Sequence, residues 1–126
     1  MMPRYTAAFA VAVLAAVART PERAPAQAPA CLHGPSETAD HRSRRQAALE
    51  FAKKVNMLEA EGKLQAQSFY NLDTLPMLPP VPRGFKAQLS NDGVSYTFSL
   101  KDTLDPCGFA YFSDQEGIVY TATPVR

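Results

Sequence analysis

The spacing of apolar residues changes period along this chain. Tyr5 to Ala18 is a nearly unbroken apolar run, flanked by Arg4 and Arg19. From Thr38 to about Gly62 the spacing is helical: Ala48, Phe51, Ala52, Val55, Leu58 and Glu59 share one face, and only Glu59 among them is polar. Arg44, Arg45, Lys53, Lys54 and Glu61 fall mostly elsewhere. Gly34-Pro35 breaks the chain before this segment, Ser36 or Thr38 can cap it, and Glu37 and Asp40 put negative charge in its first turn. Glu50 and Lys54 are spaced for an i,i+4 pair. The helix ends at Gly62 or continues to about Gln67.

Prolines 76, 79, 80 and 82 then make 72–84 an extended connector with polyproline character. Pro79-Pro80-Val81-Pro82-Arg83 has the look of a ligand for proline-recognition modules, but a stiff strap crossing the helix is the simpler reading. After Gly84 the period drops to two. Phe85, Ala87 and Leu89 alternate with polar residues, Asn91-Asp92-Gly93 signals a tight turn, and Val94, Tyr96, Phe98 and Leu100 alternate again. Phe109 to Phe112 and Ile118 to Ala122 read as two further strands around a turn at Asp114 to Gly117. The pattern predicts an α+β fold: one long N-terminal amphipathic helix, about 38–62, packed on a four-stranded antiparallel meander spanning 85–122.

The first apolar run is too short to span a bilayer as a helix and suits the core of an export signal. Small residues allow cleavage after Ala18 or Ala28, and lipidation at Cys31 is an alternative. Residues 1–30 are therefore expected to be a signal peptide and an Ala/Pro-rich spacer, and 31–126 a single domain that is periplasmic or secreted. Membrane contact is expected only through the signal. Hydrophobic residues make up 46% of the chain and charged residues 20%, enough for a folded core. The formal net charge is +1, but Arg4, Arg19 and Arg23 against Glu22 give the leader two positive charges. The remaining domain is left near −1, so no nucleic-acid partner is expected.

Two cysteines in an exported chain are expected to pair. A bridge from Cys31 to Cys107 closes a loop of roughly 75 residues, for which loop-closure entropy gives about 4 kcal/mol. Other chemistry is sparse. Cys31, His33, His41 and Cys107 fit no common zinc spacing, and oxidation competes for both thiols. Asp102, Asp105, Asp114 and Glu116 could supply oxygen ligands to calcium if their two loops met, though aspartate is common in turns for local reasons. His41-Arg42-Ser43-Arg44-Arg45 is the one basic cluster, either a solvated helix face or a site for an anionic partner. No phosphate loop or nucleophile elbow is present, so no catalytic residue, metal or cofactor is expected.

The order of helix, connector and meander resembles the globular part of type IV pilins and pseudopilins. Ala47 to Gly62 looks like the second half of a pilin helix. Tyr96-Thr97-Phe98-Ser99-Leu100 and Phe112-Ser113-Asp114-Gln115-Glu116-Gly117-Ile118 resemble the closing strands of pilin-like proteins. The prepilin peptidase motif and the unbroken fibre helix are absent, so the resemblance implies a soluble relative. The expected function is a non-enzymatic exported binding or accessory protein of a bacterial envelope or secretion assembly, with a protein partner there. The alternatives are a small secreted enzyme or metal-binding protein using the loop acids, and an exported enzyme inhibitor.

Overall fold

The structure is a computed structural model and describes residues 30–125. The expected export signal and both cleavage positions lie outside the described residues. Helix α1 runs Ala39–Ala66, a 3-10 turn follows at Leu72–Thr74, and four strands complete the chain: β1 Phe85–Asn91, β2 Tyr96–Asp102, β3 Ala110–Asp114 and β4 Tyr120–Ala122. They form one antiparallel sheet in the order β1-β2-β3-β4. This is the anticipated α+β fold, a long helix on a meander, and its topology is pilin-like. Among the described residues, no helix is long and apolar enough to cross a membrane.

Thr38 caps α1 by accepting the His41 N–H at 3.2 Å. The helix passes Gly62 and stops at Gln67, whose φ of 58° is left-handed. Gly62 is tolerated there for a packing reason: the Tyr70 ring lies where a side chain would stand. All six residues assigned to the apolar face are buried, and Asn56 joins them. They pack on the inward residues of the sheet, chiefly Phe85, Tyr96, Phe98, Leu100 and Tyr111. Leu75 and Leu78 bring the proline-rich strap onto the same core.

Three details differ from the sequence reading. Val94 was expected in line with Tyr96 and Phe98 but is 78% exposed. It belongs to the hairpin turn, where Asp92 Oδ1 accepts the N–H groups of Val94 and Ser95 and Gly93 has a φ of 86°. Strand β3 is shifted to Ala110–Asp114, and β4 begins at Tyr120 rather than Ile118, because the Asp114 turn continues through Gly117. Glu50 pairs with Lys53 at 3.4 Å rather than with Lys54.

Candidate functional site

Charged side chains concentrate where the segment before α1 meets the end of β2. Cys31 and Cys107 are joined, as anticipated, with Cα atoms 5.3 Å apart. The bridge holds the segment against the β2–β3 loop, and the Leu32 N–H donates to Asp105 Oδ1 at 3.1 Å. His33 then lies between two carboxylates. Its Nδ1 is 2.7 Å from Glu37 Oε2 and its Nε2 is 2.7 Å from Asp102 Oδ2. Both ring nitrogens are thus within hydrogen-bond distance of a carboxylate oxygen. The Phe109 ring packs against the imidazole, with centroids 4.7 Å apart.

An arginine holds each carboxylate from the helix. Arg45 donates to Glu37 through Nε at 2.8 Å and Nη2 at 2.9 Å, a bidentate fork. Arg44 Nη2 donates to Asp102 Oδ1 at 3.0 Å, and its guanidinium sits 5.3 Å from the Phe85 ring centre. Together these contacts make one chain of charge, Arg45–Glu37–His33–Asp102–Arg44. The Arg45 fork, working against burial and helped by His33, lowers the Glu37 pKa to about 2. Glu37 in turn raises that of Arg45. Burial pushes Asp102 up, but hydrogen bonds from His33, Arg44 and the Leu104 N–H outweigh it and leave the carboxyl below its ordinary value.

A cleft of about 350 Å³ opens beside this chain, lined by His33, Gly34, Glu37, Arg45, Phe109 and Thr121. Its chemistry is limited. Both ring nitrogens of His33 are engaged, and its side chain is 4% exposed, so it offers no free lone pair to a substrate. The two cysteines are bonded to each other, and no described cysteine is free.

The sequence-derived candidates divide by position. Asp102 and Asp105 lie at one end of β2. Asp114 pairs with Thr97 at the other end, and Glu116 follows it in the turn. The four acids therefore do not converge. Asp105 is spent on the N–H groups of Leu32, Cys107 and Phe109, and Asp114 caps Glu116. Among the described residues, no cluster of three or more histidines, cysteines, aspartates or glutamates is arranged for a metal. His41 stands edge-on to His33 at 6.3 Å. The basic cluster is not a free patch, since Arg44 and Arg45 turn inward to acids and only Arg42 is well exposed.

A second polar group crosses the core further along the helix. Asn56 Oδ1 accepts from Tyr96 Oη at 2.7 Å and Ser113 Oγ at 2.8 Å, while its amide reaches the Gly117 carbonyl. Burial, with Glu59 and Asp114 nearby, raises the Tyr96 pKa to about 12. Glu59 is fully buried; burial raises its pKa, only partly offset by the Tyr70 N–H at 2.8 Å, and Oε1 has no partner.

The opposite face of the sheet carries no helix. Gln88, Ser99, Phe112 and Tyr120 form one cross-strand row on it, with Lys86, Lys101, Ala110 and Ala122 in the row beside. Phe112 is 38% and Tyr120 48% exposed. The strap borders two further grooves, one against β1 and one against α1. No protein-family model, curated protein or solved structure matches the chain.

Proposed function

We propose that this protein acts by binding rather than catalysis, as an accessory protein of a bacterial envelope assembly, in an oxidising compartment outside the cytoplasm. One observation carries the reading: Phe112 and Tyr120 are cross-strand neighbours turned to solvent on the sheet face away from the helix. Two aromatic rings side by side on an open sheet face offer apolar faces to a partner, with the Tyr120 hydroxyl as a polar handle. The charged cluster supports the same reading, because its arginines, histidine and acids pair with one another instead of facing a substrate. The disulfide suits periplasmic or secreted placement. The helix-on-meander topology supports descent from a pilin-like domain that has given up its fibre helix.

Co-sedimentation tests the proposal. The exported protein is mixed with washed envelopes of the cell that makes it. The wild type is expected in the pellet, and Phe112→Ser/Tyr120→Ser, which keeps the buried face intact, in the supernatant. Equal sedimentation of the two contradicts binding through this face.

A further inference from the structure

The open sheet face carries a second feature that core packing does not explain. Lys86 and Lys101 are direct cross-strand partners on it, both exposed. Adjacent strands lie about 4.8 Å apart, so the two ammonium groups repel, and like charges placed opposite each other cost stability. Neither lysine forms an ion pair with any described residue. Two acids line the same groove, but Asp102 is fully buried and engaged by His33 and Arg44, and Asp105 is 7% exposed and already accepts three backbone N–H groups. The groove holds about 520 Å³ and is bounded by Thr103, Gly108 and Pro124 beside the lysines. It has room for an anionic group that would relieve the repulsion.

The neighbouring row says what is attached to that anion. Gln88, Ser99, Phe112 and Tyr120 lie along it, about 7 Å from the lysine row at two residues per repeat. Amide and hydroxyl groups on one half and adjacent aromatic faces on the other match a sugar ring, which has hydroxyls at its rim and C–H groups on its faces. We infer that the open face binds an acidic polysaccharide of the envelope, with carboxylate or phosphate groups at Lys86 and Lys101 and a sugar ring against Phe112 and Tyr120. The inference rests on the binding role proposed above and names its partner.

Two other polymers fit less well. A single-stranded nucleic acid needs a basic track along its backbone, but here two lysines stand alone and Asp114 lies on the same face at its far end. A protein interface concentrates apolar side chains at its centre and depletes charge there, whereas half of this face is lysine, amide and hydroxyl.

Titration calorimetry of the exported protein tests this, with oligogalacturonate as the acidic probe. Its methyl ester, a single-stranded oligothymidylate and polyglutamate serve as comparisons at one ionic strength. Oligogalacturonate is expected to bind and its methyl ester to bind weakly. Lys86→Ala/Lys101→Ala is expected to lose about tenfold in affinity, and Tyr120→Ala to weaken both sugars. Lys54→Ala, on the helix, should change nothing. Thermal melts confirm that each variant is folded. No binding of oligogalacturonate, or equal binding of polyglutamate or oligothymidylate, overturns the inference. If Phe112 and Tyr120 still govern envelope sedimentation in that case, the binding role stands and only the partner's chemistry is wrong.

Discussion

His33 touches two carboxylates at once, and each carboxylate is gripped by an arginine from the helix. Removing one member leaves its partner buried and uncompensated. Asp102 is fully buried, so Asp102→Ala should destabilise the domain by about 3 kcal/mol in chemical denaturation. Glu37 sets an acid limit. Its folded pKa is depressed from 4.5 to about 2, so its contribution is complete above pH 4.5 and disappears as pH falls toward 2. Denaturation midpoints measured across that window should fall in the wild type and flatten in Glu37→Gln. Glu59 has the opposite sign. Burial raises its folded pKa, so its contribution is present below the unfolded value and is lost as pH rises through the folded one. Glu59→Gln, similar in shape and uncharged, should gain stability relative to wild type as pH rises above the unfolded carboxyl value of 4.5. Midpoints that track the wild type across that range would contradict a buried, ionisable Glu59. At this scale the sequence was partly legible. Glu59 stands out on the apolar face, but Asp102 reads as a loop acid, whereas it is the last, inward residue of β2. His33 and Glu37 carry no such signal, because the segment before the helix has no period and its partners are far away in sequence.

Among the elements, the helix and the first hairpin follow closely from the pattern. Period 3.6 and period 2 are each sustained long enough there to fix a face. The ends were less legible. The pattern leaves the helix end open between Gly62 and about Gln67; it runs to Ala66 with Gln67 as cap, and Gly62 makes room for the Tyr70 ring of a later segment. Val94 reads as a strand residue, but Asp92 Oδ1 accepts the N–H groups of Val94 and Ser95 while the Asp92 N–H donates to the Ser95 carbonyl, which holds Val94 in the turn. The disulfide links two elements, tying the segment before α1 to the loop entering β3 across a separation of 76 residues. Cys31→Ala/Cys107→Ala should lose about 4 kcal/mol of stability. It should also loosen the Leu32 to Glu37 segment first, seen as faster amide exchange at Leu32. Unchanged exchange there would show that the His33 contacts hold the segment without the bridge.

Taken whole, the molecule separates two kinds of polar chemistry. Between helix and sheet, acids and bases neutralise one another and anchor the chain ahead of α1. On the outer face, two lysines have no ion-pair partner among the described residues, and two aromatics stand side by side, partly exposed. The fold class and the pairing of Cys31 with Cys107 were legible in the sequence, because both rest on patterns carried by many residues or by chain-wide chemistry. The outer face was not. By pattern Phe112 is one more apolar strand residue, and only the register of β3 against β2 and β4 turns it outward beside Tyr120. Tyr120 and Thr121 are neighbours on β4 but point to opposite sides, the first to the open face and the second to the cleft at the start of the helix. A photo-crosslinking residue placed at each position in turn, in the exporting cell, tests the division most directly. A covalent adduct from position 120 and none from 121 is the result expected of a binding face opposite a structural ion cluster. An adduct from 121 alone would contradict it and make the His33 cleft the working site.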